Sequence, residues 1–98
     1  GLGNNLIHTD FVLTRNHPLH RDVVLCTRAN RFPPGATVLR MQEALSSSGV
    51  GFLTLTTGRN GLYISEAKRR FRNVRVLEIR FGQTPEVITV VRMQGKYE

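Results

Sequence analysis

Apolar and polar residues alternate along this chain in short stretches, and the alternation gives way to a helical period at one clear place. Residues 10–15 (DFVLTR) set Phe11 and Leu13 on one side and Val12 and Thr14 on the other, the pattern of a short edge strand. Asn16-His17-Pro18-Leu19-His20 breaks it, since proline removes a donor and biases its predecessor away from helix. Residues 22–28 (DVVLCTR) are apolar on both sides and rich in β-branched side chains, which predicts a central strand. After the rigid connector Arg31-Phe32-Pro33-Pro34-Gly35 the period changes. Val38, Met41 and Leu45, with Ala44 between, recur at helical spacing, so 36–48 reads as a helix of about three turns with Gly49 past its end.

The second half is read in the same way. Residues 50–57 alternate again, Gly58-Arg59-Asn60-Gly61 interrupts, and Leu62-Tyr63-Ile64 resumes; Asn-Gly tolerates the positive φ of tight turns, so a β-hairpin is expected. Ser65 is placed to cap a short helix over 66–73, with Ala67, Phe71 and Val74 inward and Lys68, Arg69 and Arg72 outward. Residues 75–81 and 86–93, separated by Gly82-Gln83-Thr84-Pro85, form a terminal hairpin. The sum is an α+β domain over 10–98, preceded by a flexible arm at 1–9. A mostly antiparallel sheet carries one three-turn helix and one short basic helix on one face. Its expected core is Val23, Leu25, Val38, Met41, Leu45, Leu55, Leu77 and Ile79.

Composition narrows the function classes. Ninety-eight residues with 40% apolar and 21% charged content suit one folded domain. The longest apolar runs are only four residues, so no membrane span is expected, and the start lacks the features of a signal peptide. These features suggest an excised, intracellular domain of the cytoplasm or nucleus. A lone Cys26 inside an apolar run reads as a buried small hydrophobe, which excludes an intramolecular disulfide or a cysteine-based zinc module.

Charge is the strongest lead. The net charge is +7, and Arg59, Lys68, Arg69, Arg70, Arg72, Arg75 and Arg80 lie in one segment against two acids, Glu66 and Glu78. Arginine dominates the basic residues, and its planar fork suits phosphate. Other chemistry is thinly represented. His8, His17 and His20 lie near Asp10, Asp22 and Cys26 without a metal-ligand motif; a metal-dependent nuclease using His17, His20 and Asp22 is the catalytic alternative. Gly58-Arg59-Asn60-Gly61 lacks the Lys-Ser/Thr and long helix of a phosphate loop, and the acids are scattered singly. No cofactor and no catalytic residue is therefore expected.

The run Arg59-Asn60-Gly61-Leu62-Tyr63-Ile64 and the element order resemble the RNA-recognition-motif fold, whose Lys/Arg-Gly-aromatic strand presents stacking rings. Gly58-Arg59 and the order also resemble Alba-like nucleic-acid-binding domains, although their second helix is longer. The expected function is accordingly that of a non-enzymatic binder of RNA or single-stranded DNA. Arg59, Lys68, Arg69, Arg70, Arg72, Arg75 and Arg80 are expected on phosphates and Tyr63 on a base. The alternative is an assembly module of a larger viral, mobile-element or multidomain protein, self-associating through the strands at 10–15 and 86–93 if these are edges.

Overall fold

The computed structural model describes residues 20–56, 60–80, 82–83 and 86–98, and the backbone at 6–9. Strand β1 is Leu6–Thr9, β2 is Arg21–Cys26 and β3 is Leu45–Leu55. Strand β4 is Phe71–Arg80 and β5 is Val87–Lys96. Helix α1, Pro34–Ala44, joins β2 to β3, and helix α2, Asn60–Arg70, lies between β3 and β4. The five strands form one sheet in the order β1-β2-β3-β5-β4.

The α+β class holds, with a mixed sheet. Strands β1, β2 and β3 pair in parallel, while β5 pairs antiparallel with both β3 and β4. The parallel half follows from α1, because a helical crossover brings the chain back to start β3 in the direction of β2. The terminal hairpin is present, but β5 lies inside the sheet and β4 is its outer strand. The route to self-association through 86–93 is thereby closed, and the edge expected at 10–15 falls outside the described residues. Leu6–Thr9, within the stretch read as an arm, is β1.

Two elements differ locally from their sequence reading. Pro34 opens α1 at a position where a missing N–H costs nothing, and Thr37 Oγ1 donates to the Pro33 carbonyl at 2.9 Å. The helix stops at Ala44, and β3 begins at the next residue, so Ser46, Ser47, Ser48 and Gly49 are strand. The expected hairpin around Asn60-Gly61 is replaced by α2. Tyr63 and Ala67, the buried residues of α2, lie four positions apart, and docking them on the sheet, with Phe71 just past the helix end, outweighs the local turn preference.

Both helices cover one face of the sheet. Val24 and Cys26 of β2, Leu53 and Leu55 of β3, and Val91 and Met93 of β5 are buried there against Val38, Met41, Ala44, Tyr63 and Ala67. Glycine permits the close approach of α1: a Cβ on Gly51 would lie 2.6 Å from Met41 Sδ.

On the opposite face the register aligns Val23 with Val50, Leu25 with Phe52, Leu77 with Val90, and Ile79 with Ile88. None of these eight is fully buried, and Leu77 and Ile79 are 51% and 42% exposed. The expected core is thus correct at Val38, Met41, Leu45 and Leu55. It is corrected at Val23, Leu25, Leu77 and Ile79, which all belong to this open face.

Candidate functional site

The basic segment does not assemble into one surface. Lys68, Arg69 and Arg70 occupy the last turn of α2, where cations meet the negative end of the helix dipole. Arg69 pairs with Glu66 at 3.1 Å, and Arg70 approaches the other oxygen of the same carboxylate at 3.7 Å. Arg72 lies over the Tyr97 ring at 4.7 Å and donates to the Lys96 carbonyl at 3.1 Å. Arg75 lies opposite Arg92 on the open face, and Arg80 ends β4 opposite Val87. Arg59 lies outside the described residues. Several of these cations therefore serve the fold.

Tyr63 is a core residue, 3% exposed. Its hydroxyl donates to the carbonyl of Ala29 at 2.9 Å and to that of Phe32, tying α2 to the turn that follows β2. A ring held in this way has no free face for a base. Tyr63→Phe is expected to remove both hydrogen bonds, leaving the Ala29 carbonyl only the Phe32 N–H, and to cost about 1–3 kcal/mol, measured by urea unfolding. An unchanged midpoint would show that the hydroxyl does not brace the turn.

The region passed over in the sequence is the exit of β2 and β3. Open sheets with parallel strands bind ligands outside the carboxyl ends of those strands, and the turn between β2 and α1 lies at such an end. There Arg28 adopts a left-handed conformation, φ 57°, with its N–H donated to Thr54 Oγ1 at 3.2 Å. A single 3-10 turn, Ala29–Arg31, follows. Asn30 Oδ1 accepts the backbone N–H of Thr56 at 2.5 Å, joining the two strand exits. Asn60 Nδ2 donates to Thr89 Oγ1 at 3.1 Å, which fastens the start of α2 to β5. His20, exposed ahead of β2, belongs to no group of metal-ligating side chains among the described residues.

No family profile and no curated protein matches this chain. Solved structures do. A TehB-like SAM-dependent methyltransferase from Corynebacterium glutamicum matches with a TM-score of 0.57 at 13% identity, over 85% of this chain and 53% of its own. The S-adenosylmethionine-dependent methyltransferase SibL, in its apo form, matches with a TM-score of 0.55 at 14% identity, over 85% of this chain and 34% of its own.

The fold is one found in methyltransferases. This finding overturns the expectation of a non-enzymatic nucleic-acid-binding module, and with it the RNA-recognition-motif and Alba-like resemblances and the nuclease alternative. The physical reason is the mixed sheet order, together with a helix where the aromatic strand was expected. The chain spans about half and about a third of the lengths of these two structures. Among the described residues, no helix is long and apolar enough to cross a membrane.

The exits of β2 and β3 fit only part of S-adenosylmethionine. That molecule presents a sulfonium, an ammonium and two ribose hydroxyls, which seek oxygen acceptors, and a carboxylate, which seeks cations. The described residues at the exits, 27–32 and 56, include Arg28 and Arg31 but no carboxylate. Asn30 Oδ1 is already engaged by Thr56. Arg28 and Arg31 suit the carboxylate of that molecule and oppose its sulfonium, so the described residues of these two exits supply no partner carboxylate for the sulfonium end.

Proposed function

We propose that these 98 residues are part of an enzyme that transfers a methyl group from S-adenosylmethionine, with the cofactor held by polypeptide outside them. The observation that carries this reading is the fold, since two methyltransferase structures match over 85% of the chain. The described part supplies scaffold and one rim of the site. Asn30 and Tyr63 hold the turn after β2 in place, and Arg28 stands exposed at the carboxyl end of that strand.

Two preparations test the reading. The natural polypeptide containing this sequence is expected to gain about 2.7 kcal/mol of stability at an S-adenosylmethionine concentration of about 100 Kd. The 98-residue chain alone is expected to show no thermal shift with the same ligand. A folded natural polypeptide that fails to bind S-adenosylmethionine would overturn the enzyme assignment. Stoichiometric binding by the 98-residue chain would overturn the division between scaffold and cradle.

A further inference from the structure

Strand β4 is an open edge. Among the described strands it pairs with β5 alone, and it lies at the end of the sheet order. Edges of natural sheets are ordinarily blunted by a proline, a bulge, a short strand or a covering element, because unpaired N–H and C=O groups recruit further strands. Strand β4 has ten residues, no proline, and a continuous register with β5 from Asn73 to Arg80. From Arg75 onward every residue is exposed, on both sides of the sheet. Val76, opposite the buried Val91, is 43% exposed, and Leu77 and Ile79 on the other side are 51% and 42% exposed.

The order of charges decides what this edge accepts. Two copies related by a two-fold axis perpendicular to the sheet run antiparallel there, and each side chain faces one on its own side of the sheet. An axis through Arg75, Glu78 or Arg80 sets two like charges opposite each other. Through Val76 it sets Arg72 opposite Arg80, and through Leu77 it sets Glu78 opposite Val76. Through Ile79 it sets Glu78 opposite Arg80 twice, on either side of an Ile79–Ile79 pair. Neither Glu78 nor Arg80 takes part in the ion pairs of the described residues, so both are available.

We infer that a second copy of this chain adds to the outer half of β4 as an antiparallel strand, with the two-fold axis at Ile79 and each Glu78 facing Arg80 of the other copy. Backbone hydrogen bonds supply the attraction, and the two ion pairs select the register. A contact along one strand edge covers less than the roughly 1,200 Å² of standard interfaces, so the dimer is reversible and depends on concentration. The inference stands on the edge alone and does not depend on methyl transfer.

Sedimentation equilibrium of the natural polypeptide containing this sequence tests it. The parent is expected to pass from monomer to dimer between about 1 and 300 μM. Glu78→Arg and Arg80→Glu should each weaken the dimer about tenfold, because each sets like charges opposite one another. Glu78→Arg combined with Arg80→Glu should restore the parent's affinity, since the pairs re-form with their signs exchanged. Amide exchange across residues 75–80 should slow only at concentrations where the dimer forms. Both side chains are exposed, and far-ultraviolet circular dichroism checks that each variant folds.

A parent that stays monomeric up to about 300 μM would overturn the proposal. So would a dimer indifferent to the single reversals, or a double variant no tighter than they are. A monomer already protected from exchange at 75–80 would show the edge paired within its own polypeptide, which also overturns it. The measurements contain no S-adenosylmethionine, so failure here leaves the methyl-transfer reading standing, and failure of that reading leaves this one.

Discussion

Phe71→Ala is expected to lower stability by about 3–5 kcal/mol, the largest loss from a single truncation in this chain. Phe71 is 1% exposed and leads the fully buried side chains by volume. It is the first residue of β4 and follows directly on Arg70, the last residue of α2. Its ring therefore packs where helix and strand meet, and the cavity left by alanine cannot close without moving one of them. A small domain has about 5–15 kcal/mol in total, so urea unfolding should show a large fall in midpoint. Leu77→Ala is the control. Its side chain is 51% exposed on the open face, and the loss there should be within about 0.5 kcal/mol. Equal losses at the two positions would mean that the helix-covered face is not the core.

Gly49→Ala is the second large effect, expected near the upper end of the overpacking range at about 3 kcal/mol. A Cβ at Gly49 would lie 2.8 Å from the Arg21 carbonyl oxygen and 3.2 Å from that of Asp22. Both are backbone atoms of β2, so the strand itself would have to move. The register between β2 and β3 already shifts there, between Arg21 and Val23. Gly61→Ala provides the contrast, because a Cβ at that position of α2 meets nothing within 4 Å. Alanine there should cost nothing and gain up to about 1 kcal/mol. Equal melting temperatures for the Gly49→Ala variant and the parent would show that β2 yields freely at this crossing.

The residues show what the sequence could disclose. Val38 and Met41 at helical spacing, and Leu45 and Leu55 near the ends of β3, were identifiable as core because local period determines which side chains share a face. The same period marked Val23, Leu25, Leu77 and Ile79 as inward, yet alternation shows only which side is apolar. It cannot show whether these 98 residues include anything to cover that side. Asn60-Gly61 misled through a short-range turn signal that lost to the docking of Tyr63, Ala67 and Phe71. Parallel pairing of β2 with β3 was inferable from the helix between them, since a strand, a helix and a strand ordinarily form a parallel unit. The candidate site was less legible. The joining of Asn30 to Thr56 and of Tyr63 to Ala29 spans 26 and 34 positions, and no local pattern encodes such partners. The basic cluster drew attention because charge is visible without a fold, whereas the stacking of Arg72 on Tyr97 is not.

Both helices hand over to strands without a loop, at Ala44–Leu45 and at Arg70–Phe71. Such seams have no slack to absorb a change in length. One residue added at either seam would displace the helix by a third of a turn or exchange the two sides of the following strand. Descendants of this sequence should therefore keep these two junctions at constant length. They should accommodate insertions in the β4–β5 connection, where Gly82 already takes a left-handed turn conformation and added residues disturb no strand register.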